Sequence, residues 1–203
     1  MKVIDLFSGL GGFSQAFVDK GHDVTRYEYD ERFKDVPYTI IEDVLNLWSS
    51  DLTGADIILA SPPCQHFSVA AVYHHWKNGE PTAATLEQIE LVKHTIKIIK
   101  EAAPKYWMLE NPRGMLRRVL GKPNKFIYMA AYGKKSKKPT DLWGIFPPID
   151  WLEPFVWEKA PRGSDSGTQN NALTPAERAL IPYDFSMAVC LAAEGNSQQE
   201  TLE

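Results

Sequence analysis

The sequence predicts an α/β fold: an open, doubly wound, Rossmann-like parallel sheet with helices on both faces. Three observations predict it. An apolar strand starts at Lys2, breaks into the loop Ser8-Gly9-Leu10-Gly11-Gly12 and continues as a helix, the arrangement that brings backbone close to a nucleotide-like ligand. Short, fully apolar runs recur at Asp56–Ala60 and Tyr106–Leu109, as expected of strands buried on both faces. Between those two runs lies a long amphipathic stretch, Ala83 to Ala102, which can cross from one parallel strand to the next.

Composition narrows the class. The chain has 203 residues, 44% hydrophobic and 24% charged, the balance of an ordinary globular protein with one sizeable core. No run approaches the length of a bilayer span, and the strand at Lys2 leaves no room for a signal peptide, so no membrane partner is expected. Two cysteines make no disulfide framework, which points to a reducing, cytoplasmic setting. Net charge is −4, which speaks against nucleic acid, but its distribution speaks for it. The segment Lys97–Lys138 carries twelve Lys and Arg against two acids, Glu101 and Glu110. Such asymmetry marks either a phosphate-binding footprint or a solvated basic face.

The elements follow in order. After the first strand, Lys2 to Phe7, a helix is expected over Phe13 to Lys20, with Gly21 as its stop. The loop lacks the Gly-Lys-Ser/Thr of a phosphate loop and the usual dinucleotide spacing, so an adenosyl ligand is favoured over a pyrophosphate. His22 to Tyr29 reads as a second strand. Glu28 at its end, beside Tyr29, is placed to take ribose hydroxyls, or is a plain loop acid. Tyr38 to Ile41 reads as a third strand. Asp43 after it can accept from an adenine amino group while Val44 packs the ring, or can cap a helix over Leu45 to Trp48.

The fourth strand ends at Ala60 and runs into Ser61-Pro62-Pro63-Cys64-Gln65. The prolines cannot donate to a ladder, so the Cys64 thiol is presented on a rigid loop at the edge where open α/β sheets bind ligands. A lone cysteine there is more often a small buried hydrophobe than a nucleophile. From Gln65 to about Pro81 no periodicity is clean, and a loop of that length beside a nucleophile suits a lid. Its histidines, His66, His74 and His75, lack metal-ligand spacing. Pro104 ends the long helix, and the fifth strand delivers Glu110-Asn111-Pro112 to the same edge as Cys64. Glu110 is either the partner of Cys64 or the cap of a following helix. Further strands are expected over Lys125 to Tyr132 and Asp141 to Phe146, with a basic turn between them. Pro147 to Asn171 reads as loop. Thr174-Pro175-Ala176-Glu177 is a capping box, and a last helix runs over Tyr183 to Ala193, with Cys190 in its core face.

With these pieces in order, the chain resembles the cytosine-5 DNA methyltransferase family. Asp5-Leu6-Phe7-Ser8-Gly9-Leu10-Gly11-Gly12-Phe13 is similar to that family's cofactor loop, Pro63-Cys64-Gln65 to its nucleophile loop, and Glu110-Asn111-Pro112 to its Glu-Asn-Val motif. The resemblance covers roughly residues 1 to 145. It implies S-adenosylmethionine as cofactor, held by Asp5, Phe7, Ser8, Gly9, Leu10, Gly11, Gly12, Glu28, Tyr29, Asp43, Val44 and Pro63. It also implies DNA as partner, and the sheet of S-adenosylmethionine-dependent methyltransferases. Cys64 would add as thiolate to cytosine C6. A free thiol has a pKa of about 8.5 and needs nearby positive charge to ionise at neutral pH. Glu110 would be the protonated donor to ring N3.

Two departures stand out. Where the family has Gln-x-Arg-x-Arg, this chain has Ser136, Lys138 and Thr140. Lys138 then takes the first arginine's place in the catalytic set, without the bidentate fork. The family's large recognition domain is also missing, which leaves three parts. These are a core over 1–145, a short recognition region over 146–180, and a returning helix with tail over 181–203. That compactness looks like phage members of the family and implies a short or degenerate DNA site. RNA or a free cytosine nucleotide as substrate stays open. So does the catalytic half of a split enzyme, with a partner chain supplying recognition. A nicotinamide oxidoreductase leaves Cys64 and Glu110 without a use.

Overall fold

The computed structural model describes residues 1–69, 72–134, 136–152 and 173–195. In chain order its elements are β1 (Lys2–Leu6), α1 (Gln15–Asp19), β2 (Asp23–Glu28), β3 (Thr39–Ile41), β4 (Ile57–Ala60), α2 (Val72–His75), β5 (Trp76–Lys77), β6 (Glu80–Pro81) and α3 (Ala83–Ala102). Then come β7 (Tyr106–Pro112), α4 (Leu116–Leu120), β8 (Lys125–Tyr128), β9 (Pro139–Ile145), α5 (Pro175–Ala179) and α6 (Tyr183–Ala193). Seven strands build one sheet in the order β3-β2-β1-β4-β7-β9-β8. β3, β2, β1, β4 and β7 pair in parallel, and β9 runs antiparallel between β7 and β8. The chain leaves β1 towards β2 on one side and returns to β4 on the other. The switch point is therefore the β1/β4 gap, where the glycine loop and the Cys64 loop both emerge.

The apolar runs are continuous because the sheet is covered twice. Val3, Ile57, Leu59 and Met108 face one core with Phe13, Phe17, Phe185 and Val189, while Ile4, Leu6, Ile58, Trp107 and Leu109 face the other with Ile89, Val92, Ile99 and Leu116. α6 folds back onto α1: the Ser186 hydroxyl donates to the Phe13 carbonyl at 2.7 Å and accepts from the Ala16 amide at 3.1 Å. Cys190 is fully buried there, as expected.

Several boundaries differ from the sequence reading. α1 starts at Gln15 because Ser14 is held in the loop, its hydroxyl bonded to Asp5 at 2.7 Å and to Arg26 at 2.9 Å. Asp43 caps a single 3-10 turn, Val44–Asn46, in place of a helix. β7 runs on to Pro112 because β9 pairs with its end, Glu110 with Leu142 and Asn111 with Asp141. Glu110 is therefore a strand residue and caps nothing, since α4 begins only at Leu116. β8 stops at Tyr128 and a 3-10 turn, Met129–Tyr132, follows, closed by Gly133 at φ 87°. The segment after Cys64 carries α2 and the β5–β6 hairpin, pinned to the Cys64 loop by the Trp76 indole, which donates to the His66 carbonyl at 2.9 Å. The loop expected over Pro147 to Asn171 falls mostly outside the described residues, as does the tail beyond residue 195. Among the described residues no helix is long and apolar enough to cross a membrane.

Candidate active site

The first half of the site is the glycine loop between β1 and α1. Asp5 sits fully buried at the end of β1, its Oδ2 accepting from Ser14. Burial raises its carboxyl from 3.8 to about 6, against the pull of Ser14 and Arg26. Phe7 (φ 60°), Gly9 (φ 52°) and Gly11 (φ 75°) all take the left-handed conformation, which is strained for Phe7. The three glycines serve different ends. A Cβ on Gly9 would meet nothing within 4 Å, so that position faces open space. A Cβ on Gly11 would lie 2.4 Å from Arg26 Cζ, and one on Gly12 would lie 2.7 Å from the Ile181 carbonyl. Gly11 and Gly12 thus make room for the protein's own parts, and Gly9 alone gives outward access. Ser8 Oγ and Asp5 Oδ1 are buried without a hydrogen-bond partner among the described residues.

Glu28 closes this half. Its Oε2 accepts from the Gly9 amide at 2.8 Å and its Oε1 from the Asp30 amide at 3.0 Å, which ties the end of β2 to the loop. Leu10 and Tyr29 stand exposed beside it. Asp43 Oδ1 accepts from the Leu45 amide at 2.9 Å, and Val44 is buried in the core with Leu6 and Leu47. The capping alternative for Asp43 therefore describes what that oxygen does.

The second half is the loop after β4. Ala60 pairs with Leu109, so Cys64 and Glu110 leave neighbouring strands on one edge. The loop is pinned at both ends. The Asn111 side-chain amide donates to the Pro62 carbonyl at 2.9 Å. Beyond Cys64 a tight turn brings the Phe67 amide to the Cys64 carbonyl at 3.0 Å, and the Phe67 carbonyl accepts from the Met115 amide at 2.7 Å. Gly114 permits that docking, since a Cβ there would lie 2.0 Å from the Phe67 oxygen. Pro63 and Cys64 stay partly exposed on the rigid span between.

Glu110 is almost wholly buried, and Lys138 Nζ lies 3.5 Å from its Oε1. That is an ion pair beyond hydrogen-bond geometry, so Oε1 keeps no hydrogen-bond partner among the described residues. Lys138 is held at φ 35°, a second strained residue at the site, and its ammonium also donates to the Ala179 carbonyl at 3.0 Å. Burial pushes the Cys64 thiol above its ordinary value, the Glu110 charge adds to that, and Lys138 opposes both. The positive charge expected near the thiol is present but outweighed.

Three contributors escape sequence reasoning. Arg26, fully buried in β2, donates to Ser14 Oγ, to the Gly11 carbonyl at 2.9 Å, to Gln15 and to the Pro37 carbonyl, fixing the glycine loop from beneath. β2 reads Asp-Val-Thr-Arg-Tyr-Glu, so nothing in its own pattern marks this arginine as buried. Asn111 and Lys134 are the others. Lys134 Nζ donates to the Arg178 and Leu180 carbonyls at 2.7 and 2.6 Å, and burial lowers its ammonium to about 8. Together with Lys138 it ties the end of α5 to the Glu110 side of the site.

A family model described as C-5 cytosine-specific DNA methylase matches residues 1–129. The Type II methyltransferase M.FnuDI of Fusobacterium nucleatum is 30% identical over 125 residues, covering 58% of this chain and 34% of that protein. The orphan methyltransferase M.SPRI of Bacillus phage SPR is 26% identical over 132 residues, covering 60% of this chain and 28% of that one. Two solved structures superpose with a TM-score of 0.51 over 79% of this chain. One is a prophage-encoded E. coli protein assigned as a DNA modification methyltransferase, 20% identical over 52% of its chain. The other is the Entamoeba histolytica methyltransferase EhMeth, 14% identical over 57% of its chain. At that identity they establish the fold. The chain spans about a third of the length of the curated relatives it matches.

Proposed function

Because the chain belongs to the C-5 cytosine-specific DNA methylase family, we propose that it transfers a methyl group from S-adenosylmethionine to C5 of cytosine in DNA. The observation that carries the proposal is the convergence of three groups at one sheet edge. Lys138 lies 3.5 Å from Glu110, and both charges act on the Cys64 thiol.

The residues fit the cofactor. Ser8 offers an orphaned hydroxyl, Gly9 an approachable backbone, Glu28 and Asp43 carboxylates, and Tyr29 and Leu10 exposed apolar surface. Asp5, Phe7, Gly11 and Gly12 shape that loop, while Val44 lies in the core with Leu6 and Pro63 stands on the Cys64 loop. When bound, S-adenosylmethionine supplies an electrophilic methyl on a sulfonium. The work of this chain is to make cytosine C5 nucleophilic. Cys64 adds as thiolate to C6 and pushes electron density towards C5. Glu110, protonated, donates to N3, where charge gathers as the thiol adds. Lys138 balances charge between the two. Loss of the C5 proton then lets the thiol leave. A base stacked in a duplex cannot reach Cys64, so the target is flipped out first.

In this reading residues 1–145 form the catalytic core, 146–180 a short recognition region, and 181–203 the segment that returns to the core. The substrate is DNA in a bacterial or phage-infected cell. A second reading keeps the chemistry and has another chain supply sequence recognition. The test incubates the protein with duplex DNA and methyl-labelled S-adenosylmethionine, then hydrolyses the DNA to nucleosides. Label in 5-methyldeoxycytidine is the expected result. Label confined to RNA or dCTP would move the substrate, and no label in any of them would overturn activity of the chain alone.

A further inference from the structure

The structure sorts the basic segment into charges already engaged and charges facing one groove. Lys97 pairs with Glu101 on α3 at 3.9 Å, and Lys93 just before the segment pairs with Glu90 at 2.8 Å. Lys105 stacks on Tyr106 at 5.0 Å, at the opposite end of the sheet. Lys134 and Lys138 hold the carbonyls of residues 178–180, and Arg118 donates to the Gly79 carbonyl at 2.6 Å. Arg113, Arg117, Lys122 and Lys125, with Pro123, Asn124 and Phe126, line one open cavity of about 390 Å³ that has no acid among its described lining residues.

This groove is built. The Arg113 and Arg117 guanidinium groups stand over the Phe126 ring at 5.8 and 5.7 Å. Arg117 is fixed from below by the fully buried Asp141, with bonds of 2.6 and 2.5 Å. Arg113 follows directly on Pro112. Phe126 lies two strands from Asn111 at the same sheet level, through Asp141 in β9. The Phe126 end of the groove is therefore level with Asn111, one residue from Glu110.

We propose that this groove seats the DNA phosphodiester backbone beside the flipped cytosine. The proposal rests on the methyltransferase reading above. The chemistry favours phosphate: guanidinium planes preset by an aromatic face and a buried carboxylate, flanked by two lysines, match closely spaced anions.

The test uses the full chain with Lys122→Ala and Lys125→Ala together, and because the Lys125 ammonium stacks over the Trp151 ring at 5.2 Å, urea midpoints are measured beside affinity to show that the variant is folded. The control is Lys93→Ala with Lys97→Ala, the same charge change on α3. Affinity for duplex DNA is measured across salt concentrations. The groove variant is expected to make the plot of log Kd against log salt shallower by roughly 1.8, two phosphate contacts' worth, while the control leaves it unchanged. Equal slopes for the two variants, or an unchanged slope for the groove variant, would overturn the groove while leaving methylation by the wild type intact. A wild type that neither binds nor methylates DNA would overturn the methyltransferase reading itself, and the groove with it.

Discussion

Cys64 carries a thiol that burial and Glu110 keep protonated against the pull of Lys138. The nucleophile is the thiolate and the donor a protonated Glu110, so single-turnover methyl transfer should rise with pH for as long as Glu110 keeps its proton. Lys138→Met removes a cation that lowers the thiol's pKa, so the same limb should move to higher pH. A limb that stays put would separate Lys138 from the thiol. Cys64→Ser should abolish turnover with cofactor affinity kept, measured by calorimetry beside the label assay. Glu110→Gln should slow transfer by roughly 10²–10⁴-fold. Asp5 gives a stability limb of the opposite kind. Its folded-state value is raised from 3.8 to about 6, so its contribution is complete below the lower value and is lost as pH rises through the higher. Urea midpoints of wild type and Asp5→Asn should diverge across that window. Parallel midpoints would mean that burial of Asp5 carries no such term. The placement of Cys64 and Glu110 on one sheet edge was legible from type and position. The suppressed thiol was not, because it follows from burial in the folded loop.

At the level of elements, local signals were readable and borrowed ones were not. The limits of α3 and α6 and the capping box of α5 lie in their own residues: Pro104 after α3, and Thr174 and Glu177 bonding one another's amides in α5. The last residues of β7 depend on β9, and the shape of the glycine loop depends on Arg26, eleven or more residues from the atoms it holds. That dependence is measurable with two glycines. Gly9→Ala places a left-handed alanine in open space and should cost about 1 kcal/mol. Gly11→Ala adds a collision with the pinned Arg26 and should cost about 2–3 kcal/mol in urea denaturation. Equal losses would show that the arginine yields freely.

For the whole molecule, the doubly wound sheet followed from apolar runs that proved to be covered on both faces. The antiparallel β9 between β7 and β8 did not, since strand order is set by contacts between segments far apart in the chain. The charge asymmetry was visible in the sequence, but which cations face outward required the fold. In the reading with a short recognition region over 146–180, few side chains reach a major groove. Mapping 5-methylcytosine on a random-sequence duplex library should therefore give a short or degenerate site. A long, strictly read site from this chain alone would place recognition in the core itself.

Arg26 also bears on how the loop meets its ligand. Its guanidinium spans Ser14, Gln15 and the carbonyls of Gly11 and Pro37, so the turn above it is set by the protein's own groups. Docking there orders little chain. Association should then be paced by encounter and not by loop folding, and the heat-capacity change should match the surface covered with little added for folding.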